Sequence, residues 1–487
     1  MAVRKKVLIV AGNLSHLDQF VIHGFFKELS ESATVYITLP EEDLATERWA
    51  EVAKILDDSI TEVIPYKYHS LARKSGSQIG EASTFRFRKS SSGYGTRLRN
   101  KFLIGLGIPV NWKSRLGLRE VWKNRGEVVR RTIKELPSVV RGMKIFFWLW
   151  SRIALLKILK NCQLPRIISG VSPDATLILM QRQAGFVVAA IEGSASLGVP
   201  SLLLPIKWDN ASSKSPLIKT PSRMLVYNMQ VVAVCSRLHC MPHKSIIPVG
   251  SVEVGRGKFV ENFGQVRNVV LIGSTSDATS SEPWLESVGK IVARLESEKP
   301  EPKTSLVWRP YPTGDKKSLA FMEHFLEKQN AIRIDDDIKF GVSHRSKQSA
   351  FSGVINAYLR YCKLLDSSSL VISEGTSAIV DSRARGIPVI VPAFKKDAVI
   401  GSQWYLVNGF EHSQGLKTTN GVFIAEDEQE LERLLVDFLT NPRRIPPDNS
   451  GENIFVDERS YAQRVLDVVD EVLAEKLAKA GYTRGQG

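Results

Sequence analysis

Short apolar runs alternate with segments of helical period along most of the chain, a rhythm that predicts parallel strands joined by crossover helices. Lys6 to Ala11 is a nearly unbroken apolar run, as a strand buried on both faces requires. It enters Gly12-Asn13-Leu14-Ser15-His16, then a helical pattern through Phe20, Phe25, Phe26 and Leu29, then a strand at Thr34 to Leu39. These pieces make the opening βαβ of a Rossmann-like domain, whose ligands lie beyond the carboxyl ends of the strands. From Pro173 the rhythm resumes: a strand at Asp174 to Met180, a helix from Gln183 to Leu197, a Gly198-Val199-Pro200 turn and a strand at Ser201 to Pro205. Met224 to Tyr227, Val231 to Cys235 and Ile246 to Val249 read as three more strands.

Glu253 to Arg267 carries glycine and charge without periodicity and reads as an interdomain linker. Beyond it the pattern restarts with a strand at Asn268 to Ile272, the small residues Gly273-Ser274-Thr275-Ser276, a helix at Leu285 to Glu296 and a strand at Ser305 to Trp308. A helix at Tyr361 to Leu365 precedes a compact βαβ unit: Leu370 to Ile372, the turn Ser373-Glu374-Gly375-Thr376-Ser377, a short helix ending at Gly386, and Ile387 to Val391. Gln429 to Leu439 and Tyr461 to Leu477 are amphipathic helices, the last able to pack back across the first domain. The expected architecture is α/β with two Rossmann-like domains facing a central cleft. The first spans 1–255 with a helical insertion at about 70–165, the second 266–460, and a terminal helix 461–487.

Composition changes this picture in one respect. The 487 residues are 43% apolar and 24% charged, as in a globular chain of more than one domain, yet 66 basic against 51 acidic residues leave a net charge of +15. Such a surplus favours phosphate-bearing partners: nucleotides, nucleic acid or an anionic membrane. Much of it lies between Tyr66 and Arg141, and it runs into the Phe- and Trp-rich stretch Met143 to Trp150. Ile153, Leu155, Leu156, Ile158 and Leu159 follow, with Arg152, Lys157 and Lys160 interspersed. A helix of this kind suits an anionic membrane surface, or a place between domain layers with a solvated basic flank. Nucleic acid ranks below both, because the aromatics cluster instead of interleaving with the cations. No apolar stretch reaches the ~18 residues of a spanning helix. The first apolar run is short for a signal peptide, and the four cysteines follow no framework spacing. A cytoplasmic setting, peripheral to the inner face of the membrane, is expected.

Candidate chemistry gathers at the strand ends. Gly375 permits close backbone approach, and Thr376 and Ser377 offer hydroxyls and N–H groups at a helix start, a phosphate-sized anion site or an ordinary helix cap. Asp381, one turn on, is placed to accept from a ribose, and Arg309, before a Pro-rich loop, to neutralise a diphosphate. In the first domain Gly12 and Asn13 border a cleft, with His16 or Asp18 as general base, or His16 as a capping or solvent-facing residue. Trp208, Asp209, Asn210 and Lys214 form a polar loop after a buried strand, at a cleft rim. Cys235, His239, Cys240 and His243 match no metal-knuckle spacing, so no metal is expected. Asp335-Asp336-Asp337 reads as a solvated turn.

Three of these stretches carry a family resemblance. Trp208-Asp209-Asn210 with Ser212, Ser213 and Lys214 resembles a segment of bacterial surface-polysaccharide (capsule or O-antigen) glycosyltransferases and CDP-glycerol glycerophosphotransferase-like proteins. Trp308-Arg309-Pro310-Tyr311-Pro312 is similar to their basic-Pro-His-Pro loop, with Tyr311 in place of histidine. Ser373 to Ser377, Asp381 and Gly386-Ile387-Pro388-Val389 resemble the nucleotide-diphosphate segment also found in UDP-N-acetylglucosamine 2-epimerases. The resemblance runs from Lys6 to Leu477 apart from the basic insertion. It implies a GT-B glycosyltransferase, in which Gly273, Ser274 and Glu374 to Ser377 hold the diphosphate of a nucleotide-sugar donor, Asp381 its ribose, and Arg309 the leaving-group charge. The first domain would present a glycan or lipid-linked acceptor, and no cofactor is implied. A nucleotide-sugar 2-epimerase, a polyol-phosphate transferase and a basic membrane- or RNA-binding scaffold stand as alternatives.

Overall fold

A computed structural model describes residues 4–68, 144–180, 185–208, 210, 217, 219–252, 267–273, 281–298, 303–310, 316–328, 331–335, 351–395, 403–409, 411–446, 457 and 459–479. Two all-parallel sheets organise the chain. The first has seven strands, β1 (Lys5–Ala11), β2 (Ala33–Pro40), β3 (Glu62–Tyr66), β4 (Ala175–Met180), β5 (Ser201–Pro205), β6 (Arg223–Val226) and β7 (Ile246–Pro248), in the order β3-β2-β1-β4-β5-β6-β7. The second has six, β8 (Arg267–Ile272), β9 (Thr304–Arg309), β10 (Ile332–Ile334), β11 (Leu370–Ser373), β12 (Val389–Pro392) and β13 (Val422–Ala425), in the order β10-β9-β8-β11-β12-β13. Each chain segment starts at the sheet centre, winds to one edge, returns and winds to the other. This is the doubly wound topology, with its switch points between β1 and β4 and between β8 and β11.

Both sheets are buried on both faces, which explains the unbroken apolar runs. Val7, Ile9 and Ala11 of β1 enter one apolar cluster, and Leu8 and Val10 enter the cluster on the opposite face. In β8, Val269 and Leu271 face one way and Val270 and Ile272 the other. The terminal helix Tyr461–Lys479 lies on the first sheet: Ala462, Val465, Leu466, Val468, Val469 and Val472 are buried in the cluster of Val7 and Ile9. Each such side chain contributes about 1.5–3 kcal/mol by burial. Polar ties fix its register, with Arg223 pairing with Glu471 and Glu475 and the Arg464 Nε donating to the Val249 carbonyl at 2.7 Å.

The helix Phe351–Asp366 belongs to both halves of the molecule. Phe351 is fully buried in the first domain's cluster, whereas Leu365 is fully buried in the second's. Its first turn is held by the helix Glu47–Leu56, where the Glu51 carboxylate accepts from the Ser352 N–H at 2.7 Å and the Arg48 guanidinium lies 6.0 Å from the Phe351 ring. Trp208 and Tyr227, from loops leaving β5 and β6, share an apolar cluster with Ala378, Val407 and Leu416. The carboxyl edge of the first sheet is thereby turned toward the second domain.

The structure departs from the expected elements in four places. Val231 to Cys235 is part of a helix, Met229–His239, because Asn228 caps it by accepting from the Val231 N–H at 2.9 Å, a local signal that outweighs β-branched propensity. The single helix expected through Phe20 and Leu29 is broken into Leu14–His16, Asp18–Ile22 and Phe25–Ser32, with Gly24 at φ 69° between the last two. The edge strand β3 lies in a stretch with little periodicity. Asp335 is no solvated turn: the short strand β10 runs into it, beside β9. Arg267, expected to end the linker, begins β8; linker residues 253–266, residues 69–143 of the basic insertion, and Asp336 and Asp337 lie outside the described residues.

Candidate functional site

The second domain's switch point draws together most of the residues singled out there. The Glu374 N–H donates to the Ile272 carbonyl at 3.0 Å, which closes the turn after β11 onto the end of β8. The Gly273 N–H donates to the Arg309 carbonyl at 3.2 Å and joins the end of β8 to that of β9. Gly273, Arg309 and Glu374 to Ser377 therefore share one carboxyl edge. Ser274 and Tyr311 lie outside the described residues, as do Asp209, Ser212, Ser213 and Lys214 of the first domain.

Within the turn the roles differ residue by residue. Glu374 is fully buried, its Oε1 accepting from Ser281 Oγ at 2.6 Å and Trp284 Nε1 at 3.1 Å, and its Oε2 from Gln403 Nε2 at 3.1 Å. Gln403 Oε1 in turn accepts from the Gly375 N–H at 2.9 Å. The Gly375 amide is thus already engaged, a correction to its expected role as an open phosphate donor. Thr376 caps the helix Ala378–Ala384, its Oγ1 accepting from the Ala378 N–H at 3.2 Å, while Ser377 makes no side-chain cap. The amides of Thr376 and Ser377 donate to no acceptor among the described residues, so they are the donors this turn can present to an anion.

Arg309 and Asp381 meet across a tyrosine. Arg309 pairs with Asp335, and its guanidinium carbon lies 5.0 Å from the centre of the Tyr361 ring. The Tyr361 hydroxyl donates to Asp381 Oδ2 at 3.1 Å. Burial, with the Asp381 charge beside it, pushes the Tyr361 hydroxyl far above its usual pKa, so it remains a donor. The Asp381 carbonyl accepts from Arg385 at 2.9 Å.

At the first domain's switch point stand Gly12, Asn13 and His16. A Cβ on Gly12 would fall 2.3 Å from Phe186 Cε1, so any side chain there would force the Phe186 ring of the helix Gly185–Ser196 to shift. Asn13 caps the Leu14–His16 turn by accepting from the His16 N–H at 3.2 Å. The His16 ring is buried, with Nδ1 accepting from the Gly12 N–H at 3.3 Å and Nε2 lying 3.2 Å from Asn13 Nδ2. Asp18 is not beside it. Its carboxylate pairs with Arg48, next to Phe351, and burial pushes its pKa up to about 6 against the opposing pull of Arg48. The two expected bases are thereby separated, and only His16 is held at the strand end.

Trp208 and Asn210 are both buried. Trp208 belongs to the cluster shared by the two domains, and Asn210 Nδ2 donates to the Met180 carbonyl at 3.3 Å, tying the loop after β5 to the end of β4. Of the four Cys and His residues near 240, Cys235 is buried in the core and His239 Nδ1 accepts from the Leu217 N–H at 3.0 Å. Sequence reasoning missed Tyr361 and Asp335 as site residues. Asp335 carried the one available signal, an Ile-Arg-Ile alternation just before it.

No family model matches the chain, and no curated protein matches it. Among solved structures it is similar to a putative UDP-N-acetylglucosamine 2-epimerase from Listeria monocytogenes, at 12% identity over 97% of this chain and 98% of that one, with a TM-score of 0.49. It is also similar to UDP-GlcNAc 2-epimerase from Methanocaldococcus jannaschii, at 8% identity over 96% and 99%, with a TM-score of 0.48. A third similarity is to the glycotransferase of kitacinnamycin, at 12% identity over 97% and 96%, with a TM-score of 0.42. Likeness at this level concerns the path of the chain. The two-domain α/β fold stands on the strand orders above.

Proposed function

We propose that this chain is a GT-B glycosyltransferase that moves a sugar from a nucleotide-activated donor to a glycan or lipid-linked acceptor in cell-surface polysaccharide synthesis. One observation carries the reading: Arg309, the Thr376 and Ser377 amides and Asp381 converge on the carboxyl edge at the switch point between β8 and β11. That is where a doubly wound sheet takes a nucleotide. In the reading, the turn amides and Arg309 hold the diphosphate and Asp381 the ribose. The acceptor hydroxyl forms a bond to the anomeric carbon as the bond from that carbon to the diphosphate oxygen breaks, and the nucleoside diphosphate leaves with the electron pair. Arg309 offsets the charge that grows there. In the same reading His16 takes the acceptor proton at Nδ1, giving up the Gly12 N–H contact as it does so, since Asp18 is committed to Arg48. The donor is a substrate, and no resident cofactor is assigned.

The acceptor's place is supported by the helix Lys144–Lys160. Ala154 and Ile158 bury one face, while Ile153 and Leu156 stand exposed among the exposed Arg152, Lys157 and Lys160. Apolar side chains rimmed by cations suit an anionic membrane surface, where a lipid-linked acceptor resides. No helix among the described residues is long and apolar enough to cross a membrane.

Calorimetry against UDP, GDP, CDP and CMP tests the reading, with one nucleoside diphosphate expected to bind. Arg309→Ala should lower turnover of the matching nucleotide sugar by about a hundredfold, within the range for loss of one preorganised donor, without unfolding the chain. Undiminished turnover in that variant, or epimerised donor formed with no acceptor present, refutes the assignment.

A further inference from the structure

We infer that Tyr361 is a positioning residue of the nucleotide site, one side chain that sets both the Arg309 guanidinium and the Asp381 carboxylate. The inference rests on the reading above and goes beyond it, since neither contact involves the ligand. Tyr361 stacks under Arg309 at 5.0 Å and donates its hydroxyl to Asp381 at 3.1 Å. Arg309 is thus held on two sides, by the ring and by Asp335. A long arginine otherwise samples many rotamers, and ordering it in advance removes that entropy from the binding step. The hydroxyl does the same for Asp381, fixing the direction of its carboxylate.

The placement of the ring is itself fixed from the far side of the molecule. Tyr361 sits on the helix Phe351–Asp366, whose first turn is built into the first domain through Phe351 and through the Ser352 N–H on Glu51. One turn before Tyr361, Tyr358 packs edge-on against His23 of the first domain, with ring centres 5.1 Å apart. The ring also packs against the apolar cluster that holds Val371 and Ile379, but packing alone accounts for neither the cation on its face nor the carboxylate on its hydroxyl. The two functions are separable by chemistry. Tyr361→Phe keeps the stack and removes the hydroxyl, whereas Tyr361→Leu removes both.

The test titrates the nucleoside diphosphate that binds tightest in the panel above, its parent nucleoside, and inorganic pyrophosphate. Tyr361→Phe is expected to weaken the nucleoside and the nucleoside diphosphate by the same factor, about tenfold, and to leave pyrophosphate unchanged. Tyr361→Leu should weaken pyrophosphate as well. Asp381→Ala should weaken the nucleoside at least as much as Tyr361→Phe, and the double variant should lose no more than Asp381→Ala alone, because the hydroxyl acts only through that carboxylate. Equal losses for pyrophosphate and nucleoside in Tyr361→Phe, no loss at all, or additive losses in the double variant overturn the role of Tyr361 while leaving the nucleotide site standing. A wild-type chain that binds no nucleotide overturns the proposed function, and the inference with it.

Discussion

Arg383 offers the sharpest test of how the second domain is held together. Its side chain is fully buried on the helix that carries Asp381 and bonds to carbonyls, with no carboxylate partner among the described residues: Nε donates to the Asn420 carbonyl at 2.8 Å, one terminal nitrogen to Ile387 at 2.8 Å, and the other to Ile445 at 2.9 Å and Pro446 at 3.2 Å. It therefore pins three loops to one helix. Hydrogen bonds from a charged donor contribute about 1.5–3 kcal/mol each. Against them stands the cost of burying the cation, whose pKa is lowered from 12.5 to about 10, chiefly by burial and then by Arg444, equivalent to about 3 kcal/mol. The net predicts that Arg383→Met, which matches the length of the stem but strands four carbonyls, destabilises the domain by about 3 kcal/mol or more. Urea unfolding followed by tryptophan emission reads it, since Trp284 and Trp308 are buried in this domain. Arg383→Lys should recover only part of the loss, a single ammonium being unable to reach all the carbonyls. A loss below about 1 kcal/mol for Arg383→Met would show that water or relaxation satisfies those carbonyls, and would refute the pinning argument.

Two further outcomes are expected. The folded-state pKa of Asp18, raised from 3.8 to about 6, means that the folded chain binds this proton more tightly than the unfolded one, so the stability it contributes is complete below pH 4 and lost as pH rises through 6. Asp18→Asn removes that titration, and its stability relative to wild type should improve by about 2 kcal/mol between pH 4 and pH 7; parallel melting profiles across that range would contradict it. Flotation with vesicles containing phosphatidylserine should carry the wild-type chain and release Ile153→Ser/Leu156→Ser, while vesicles of neutral lipid should carry neither. Equal recovery of wild type and variant from the anionic vesicles would leave that helix face without a role at the membrane.

How much of this was legible depended on whether the cause was local. The apolar runs 7–10, 177–179 and 370–372 announced buried parallel strands, since a strand covered on both faces has no polar side to show. Glycine and serine after those strands marked the turns. Where local signals competed, the reading failed: the valines after Asn228 suggested a strand, and the cap at Asn228 made a helix. Asp18 seemed placed for catalysis beside His16, yet one residue separates them and a helix turn sends the carboxylate to Arg48. Nothing around Gln403 betrays that its amide would bridge Glu374 and Gly375, because those partners lie 28 and 29 positions away.

By itself, then, the sequence determined the α/β class, the two Rossmann-like halves and the strand ends at which chemistry could sit, all consequences of periodicity and turn composition over short spans. Only the tertiary structure decided which of those strand-end residues share an edge, which amides in the turn are already occupied, and that a tyrosine from a helix rooted in the other domain stands between Arg309 and Asp381. Those contacts join positions 20 to 52 residues apart, as between Tyr361 and its two charged neighbours. Long-range packing brings such groups together, and no local propensity encodes it.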